Sequence, residues 1–254
     1  MPEPRRARIP LLWVGLIPIL LFALAVEWMG RSGVTNMAII PLPTKVLERV
    51  LSIVGSGSFV DPLLQTSYLL FTSYLCASAL AVGTGLLVGR SAFAYNLLEP
   101  VFELIRPLPK PALLPPLILL LGIGDAMKLT VVGLAVFFPV LINTLQGVRG
   151  VEAVQTNMGR TFRVSLFMLA WKVILPAALP FIFTGLRVGL GLALIVAVIA
   201  EMLAGTGGLG YLVIDMQRTF RVVDMYAWIV ILAFYGYGLN AAFVAIERRV
   251  VHWI

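Results

Sequence analysis

Long, continuous apolar runs separated by short polar segments dominate the chain. A run of about 20 apolar residues is long enough to cross the hydrocarbon core of a bilayer as a helix. Continuous runs do not match the strict alternation of barrel strands. The pattern therefore predicts an all-α membrane protein with six transmembrane helices. The predicted spans are Ile9–Met29, Thr66–Val88, Leu97–Gly122, Met127–Leu145, Pro180–Leu203 and Tyr226–Ile246.

Composition and charge placement support a membrane protein and predict its orientation. The 254 residues are 60% hydrophobic and 12% charged, with a mean hydropathy of +1.00, far more apolar than an ordinary soluble domain. The net charge of +7 arises from basic residues at the ends of the apolar runs, which does not indicate nucleic-acid binding. Ten Lys and Arg residues flank one side of the six spans and six flank the other. The positive-inside rule therefore places both termini in the cytoplasm.

The segment between the first two spans has a different pattern. In "LPTKVLERVLSIV" the apolar positions recur at helical spacing, which predicts a short external amphipathic helix. Thr44 precedes the apolar positions and is a candidate N-cap for this helix.

Prolines interrupt the third predicted span. An interior proline removes a helical hydrogen bond and clashes with the preceding turn, so we do not expect an unbroken helix through Arg106–Pro111. The freed carbonyl groups require either protein burial or a water-filled cavity at membrane depth. The kink therefore lies either at the edge of a translocation path or in a cytoplasmic re-entry turn. The prolines are Pro100, Pro107, Pro109, Pro111, Pro115 and Pro116.

Two predicted spans carry small residues at every fourth position, which is how helices approach each other closely in lipid. Packing within one chain is the favoured interpretation, and a subunit interface is the alternative. The stripe in the second span is Ala77, Ala81, Gly85 and Gly89, and that in the fifth is Gly185, Gly189, Ala193 and Ala197.

The sequence offers no catalytic or metal-binding pattern. No phosphate-binding loop and no His-Glu-x-x-His motif are present, and Cys76 and His252 are the only residues of their types. We therefore expect no catalytic site, metal or cofactor on this chain. Uphill transport would need energy from a partner chain or an ion gradient.

Charged residues in or near the apolar spans are candidates for a translocation path or gate, because such groups usually face a cavity or form pairs. Arg106 and Lys110 would suit an anion, although a pair between Arg106 and Glu103 or Glu99 is the favoured interpretation. Glu201 precedes "GTGGLG" and is a candidate for an outer gate. Extension of its side chain to the external headgroups is favoured for Glu201.

The polar segment Gln146–Lys172 lies on the predicted cytoplasmic side. Its apolar residues are bordered by arginines, which indicates either a docking surface for another protein or an interfacial helix on anionic lipid. Both interpretations remain open on composition.

Three stretches resemble a known family. "VSLFMLAWKVILPAALPFIFTGLRVGLGLALIVAVIAEMLAGTGGLGYLV", "RPLPKPALLPPLILLLGIGDAMK" and "FFPVLINTLQGV" resemble the inner-membrane permease subunits of binding-protein-dependent ABC importers, in the branch for nitrate, taurine and alkanesulfonates. The resemblance implies the six-helix type I importer permease fold. It also implies one permease domain over residues 1–254, with the family core at about 67–246 and a cytoplasmic coupling loop at about 146–175.

In this family the coupling loop inserts into the ATPase subunit, opens with Glu-Ala-Ala, has a glycine further on and ends in Leu-Pro. Counting back from Leu-Pro places the Glu-Ala-Ala positions on the wrong residue types here, and an arginine stands at the glycine position. A shifted register with Gly159 as the hinge is the alternative. The implied coupling residues are Asn157, Met158, Gly159, Arg160, Thr161, Phe162, Arg163, Leu175 and Pro176. Pro176 and Pro180 are expected to end the docking element, start the fifth span and stiffen the joint between them.

The resemblance also implies the partners. They are a second permease copy, two cytoplasmic ATPase subunits that carry ATP and magnesium, a periplasmic or lipid-anchored solute-binding protein, and membrane lipid, with no nucleic acid. The implied function is ATP-driven import of a small, anionic solute through the inner membrane by alternating access. The alternative is a stand-alone secondary transporter or channel.

Overall fold

The computed structural model describes residues 11–34, 36–151 and 165–252, and every regular element in these ranges is helical. A 3₁₀ turn, Lys110–Leu113, precedes α5, and a π-helical turn, Ala170–Ile174, joins α7 to α8. The helices are α1 (Leu11–Arg31), α2 (Pro43–Gly55), α3 (Val60–Gly89), α4 (Ala92–Ile105), α5 (Leu114–Leu121), α6 (Asp125–Arg149), α7 (Leu166–Leu169), α8 (Leu175–Ala204), α9 (Leu209–Arg218) and α10 (Val222–Val250).

The prediction of an all-α membrane protein is confirmed, but the count of six spans is not. Within the described residues, four helical segments are long and apolar enough to cross a membrane, and a bent pair of helices raises the count to five. The four are Val60–Gly89, Asp125–Arg149, Ala170–Ala204 and Val222–Val250. The first predicted span, Ile9–Met29, is helical from Leu11 onwards.

The predicted break in the third span is confirmed. The chain bends by 86° between Ala92–Ile105 and Lys110–Leu121. Pro107 and Pro109, which lie between these helices, cannot donate to a helical ladder, so α4 ends at Ile105.

The predicted start of the fifth span at Pro180 is wrong. The span begins at Ala170, and Pro176 and Pro180 lie inside continuous helical structure instead of separating two elements. The π turn explains this difference, because the N–H of Leu175 donates to the carbonyl of Ala170, five residues back. This wider turn accommodates the missing N–H of Pro176 just after it.

The chain divides into two compact units. The first contains the residues up to Phe59 together with Val213–Ile231. Here α2 is the predicted amphipathic helix, but Thr44 is not its N-cap. Thr44 donates its main-chain N–H and its hydroxyl to the carboxylate of Glu27, at 3.2 and 3.0 Å. A glutamate from α1 therefore provides the acceptor that a capping side chain would supply. Arg49 of α2 pairs with Asp224 of α10 in the same unit.

The second unit contains Val60–Leu212 and Leu232–Ile254, and its core is built where α3 and α8 pack on α6. Glycines allow these helices to approach closely. A Cβ added to Gly85 would lie 2.6 Å from Thr144 Cγ2, and one added to Gly185 would lie 2.7 Å from Asn143 Cβ. Both distances are far below van der Waals contact, so the backbones pass nearer than any side chain would permit.

Candidate functional site

The proline break forms one wall of a cavity in the second unit with a volume of about 500 Å³. We call it the kink cavity. The turn after α4 lines one side, and α6 and α8 line the other. Its polar lining consists of Arg106, Lys110 and Asn143, while Phe138, Leu192 and Val196 are among its apolar lining residues.

The side chain of Lys110 donates hydrogen bonds to main-chain carbonyls at the proline break. Its Nζ lies 2.8, 3.3 and 3.0 Å from the carbonyl oxygens of Ile105, Arg106 and Leu108. These carbonyls lie in the irregular turn between α4 and α5, where the Leu108 N–H also donates to Ile105 at 3.2 Å, and an ammonium group has three protons to donate. Nζ also lies 5.0 Å from the ring centroid of Phe138, a cation–π contact. Lys110 therefore stabilises the turn and contributes positive charge to the cavity without a spare donor.

Arg106 is held much more loosely. Its Nη1 lies 3.6 Å from Glu103 Oε1, and the two side chains are 58% and 62% exposed. The predicted Arg106–Glu103 pair is confirmed. Glu99, the other predicted partner, instead accepts a hydrogen bond from the Tyr95 hydroxyl at 2.7 Å.

A second, smaller cavity of about 190 Å³ adjoins the first. We call it the vestibule. Its charged lining residues are Glu99, Glu103, Arg106 and Arg149, and it shares Arg106 and Ile142 with the kink cavity. The guanidinium of Arg149 lies 3.7 Å from the ring centroid of Tyr95, which fixes it at one wall.

Glu201 lies at the C-terminal end of α8, and its predicted extension to the headgroups is wrong. The residue is only 2% exposed. Its Oε2 accepts hydrogen bonds from the Thr66 hydroxyl at 3.0 Å and from the Gly210 N–H at 2.9 Å. Thr66 in turn accepts the N–H of Leu209 at 2.9 Å. The carboxylate therefore joins α3, α8 and the first turn of α9.

The glycines after Glu201 allow the chain to fold over its carboxylate. Gly208 has φ +95°, a conformation that L side chains rarely adopt, and an added Cβ would lie 2.3 Å from Glu201 Oε1. Glu201, Lys128 and Asp125 together line a polar cavity of about 240 Å³. Lys128 and Asp125 form an ion pair at 2.7 Å, with side chains 13% and 68% exposed. Glu201 is thus buried within a polar arrangement.

Of the other predicted site residues, some lie outside the described residues and the rest lie in α3 and α8. The coupling residues Asn157–Arg163 lie outside the described residues, whereas Leu175 and Pro176 form the first turn of α8. The α3 stripe contacts α6, where Gly89 lies against Val148 as Gly85 lies against Thr144. Buried members of the two stripes are Ala77, Ala81, Gly85, Gly185, Gly189, Ala193 and Ala197.

Sequence reasoning missed Thr66 and Asn143. Both are ordinary polar residues inside apolar helices, and only the tertiary fold brings Thr66 to a glutamate 135 positions away. Among the described residues, no group of three His, Cys, Asp or Glu side chains is arranged to hold a metal ion.

Known proteins are similar to this chain in sequence, and one solved structure is similar in fold. The taurine transport system permease protein TauC of Escherichia coli K12 is 33% identical over 219 residues, covering 84% of this chain and 80% of TauC. The putative aliphatic sulfonates transport permease protein SsuC of Bacillus subtilis 168 is 30% identical over 238 residues, covering 94% and 86%. A crystal structure of an amino acid ABC transporter with histidines superposes with a TM-score of 0.63 at 19% identity, over 80% of this chain and 98% of that one.

The match to a family model extends from the middle of α3 to the C-terminus. The model describes the inner membrane component of binding-protein-dependent transport systems and covers residues 77–254. Such a component is a transport subunit and not a catalytic one. The chain belongs to this family of inner-membrane transport permeases.

Proposed function

We propose that this chain is the membrane-spanning subunit of an ATP-driven importer for a small, anionic solute such as nitrate, taurine or an alkanesulfonate. Transport proceeds by alternating access, and ATP and magnesium bind to a separate ATPase subunit. Relatives that are permeases for taurine and aliphatic sulfonates support this proposal. Family membership favours it over a stand-alone secondary transporter or channel.

The kink cavity is the observation that supports an anionic substrate. Arg106 and Lys110 are the only charged residues in its described lining, and both are cationic. Apolar residues of α6 and α8 form most of the remaining wall. A positive group within an apolar pocket suits an anion with a short alkyl chain, because fixed charge is screened less there than in water.

The proposed assembly contains two copies of this chain, two cytoplasmic ATPases and an external solute-binding protein. The bias of basic residues supports a cytoplasmic location for both termini. In this orientation the segment 146–175 meets the ATPase, and the Glu201 cluster lies at the outer end, where it serves the gate. A closed two-fold dimer is the usual symmetric solution for such a pair.

Uptake by the reconstituted complex tests this function. The permease, its ATPase and its binding protein are placed in liposomes with ATP at the ATPase face, and uptake of labelled taurine, ethanesulfonate and nitrate is measured. At least one anion should accumulate only with hydrolysable ATP and the binding protein. Uptake by the permease alone, driven by an ion gradient, would instead establish a secondary transporter.

A further inference from the structure

Arg106 lies in the wall between two cavities that differ in charge. The kink cavity and the vestibule share Arg106 and Ile142 and otherwise have separate linings. On the kink-cavity side both charged residues are cationic, whereas the vestibule adds two carboxylates, Glu99 and Glu103, and one further cation, Arg149. Arg106 therefore borders both cavities, and its guanidinium is the charged group that they share.

The two cations of the kink cavity differ in what they offer a ligand. Lys110 directs its three protons at main-chain carbonyls. Arg106 has five N–H donors, and its contact with Glu103 at 3.6 Å is longer than a hydrogen bond. Arg106 is therefore the cation of this cavity with donors available for an anionic oxygen.

We propose that Arg106 is a charge filter between the two cavities, and that it passes its guanidinium from Glu103 to the anionic group of the solute and back. This proposal rests on the proposed transport function and deepens it, because it names the residue that selects for negative charge. The ligand class is a small anion with at least two oxygens on one atom, which matches the planar fork of a guanidinium.

The geometry favours such an exchange. An exposed ion pair at 3.6 Å contributes little stability, so a sulfonate, nitrate or carboxylate group replaces Glu103 readily. In the vestibule, Glu103 competes with the anion for the guanidinium, and Arg149 offsets part of the repulsion from the two carboxylates. Binding is then strong enough for entry and weak enough for departure, which conduction through a pathway requires.

Thiol labelling tests the filter without the ATPase or the binding protein. Leu192→Cys places a thiol in the kink cavity, and Cys76→Ser removes the native one. The full-length permease in membrane vesicles is treated with anionic sulfonatoethyl methanethiosulfonate or with its cationic trimethylammonium counterpart. Each rate is divided by that of the same reagent with a small thiol in solution.

The anionic reagent should react faster, and Arg106→Gln should lower the anion-to-cation ratio by about tenfold, the effect of one nearby charge at intermediate dielectric. Glu103→Gln should raise the ratio. Arg187→Gln is the matched control, since Arg187 pairs with Glu247 and lines neither cavity, and it should leave the ratio unchanged.

A parent protein without anion preference, or an Arg106→Gln variant that keeps the preference, would overturn the filter. Neither result depends on ATP-driven uptake, so the transport function would stand. Conversely, a complex that fails to import any anion would refute the proposed function and leave the labelling result intact.

Discussion

Replacing Gly185 with alanine perturbs the closest approach between α6 and α8. The added Cβ would lie 2.7 Å from Asn143 Cβ, 3.1 Å from Val140 Cα and 3.2 Å from the Pro139 carbonyl oxygen. Carbon atoms pack favourably at about 3.5–4.0 Å, so the shortest contact falls short by about 1 Å. Two of the three neighbours are main-chain atoms, which cannot rotate away. The helices must therefore separate.

The size of the effect follows from two opposing contributions. Overpacking of this kind destabilises proteins by about 1–3 kcal/mol. Alanine is a better helix former than glycine by about 0.5–1 kcal/mol, which offsets part of that loss. We therefore expect Gly185→Ala to lower the free energy of unfolding by up to about 2.5 kcal/mol, the difference between these contributions.

A matched control lies six positions further along the same helix. A Cβ added to Gly191 meets nothing within 4 Å, so Gly191→Ala should keep only the gain in helix propensity. Both variants are unfolded with SDS in mixed micelles and followed by circular dichroism. The two free energies should differ by about 1–3 kcal/mol, the overpacking contribution alone, because both variants share the gain in helix propensity. A difference under about 0.5 kcal/mol, the usual scatter of such comparisons, would refute the close approach of the two helices.

Three further changes test other parts of the molecule. Glu201→Ala should lower the free energy of unfolding by about 1–3 kcal/mol, because two buried donors lose their acceptor. A double-mutant cycle with Thr66→Val should show coupling, and additive effects would contradict the shared hydrogen bond. Lys110→Met should lower the melting temperature in detergent, since three carbonyls lose the ammonium donor and, among the described residues, only that of Ile105 keeps a main-chain donor, the Leu108 N–H; a parental value would show that they do not need the ammonium group. Replacing Pro176 and Pro180 together with alanine should let ATP hydrolysis continue while uptake falls, because the two prolines fix φ in the first turns of α8; fully coupled uptake would contradict a role for this rigidity.

The break in the third span was predictable because proline acts on its own neighbourhood. A missing N–H and a fixed φ disrupt a helix in any tertiary setting, so the sequence alone indicates where α4 ends. The 86° bend and the use of Lys110 as a donor to the freed carbonyls depend on the surrounding helices. Sequence reasoning therefore located the cavity wall and assigned Lys110 to the path without recognising its structural contacts.

The same reasoning about proline was wrong in the fifth span. Pro176 and Pro180 suggested a boundary, yet the helix continues through both. A π turn changes the hydrogen-bond spacing from four residues to five, and this adjustment leaves no trace in composition or periodicity. Two prolines near a helix start are thus compatible with either a break or a local widening of the helix.

Glu201 shows a different limit of sequence reasoning. A glutamate near the end of an apolar span is usually expected to reach water, because an isolated buried charge is costly. Burial becomes acceptable here because a hydroxyl from α3 and an N–H from α9 satisfy Oε2. The only local signal was the run of glycines after it, which permits a chain to fold back over a side chain.

Glu27 in the first unit and Glu201 in the second each accept a hydrogen bond from an N–H at the start of a helix, where that N–H has no partner within the helix. Each lies near the C-terminal end of a long apolar helix, and each accepts an N–H at the start of the short helix that follows, Thr44 in α2 and Gly210 in α9. The first N–H groups of a helix have no intrahelical partner and carry partial positive charge, so a carboxylate is a suitable acceptor. Near a membrane, water cannot be relied on to satisfy them. A glutamate at the end of a span, followed by a loop rich in glycine or proline and a short helix, therefore indicates a cap as readily as a headgroup contact.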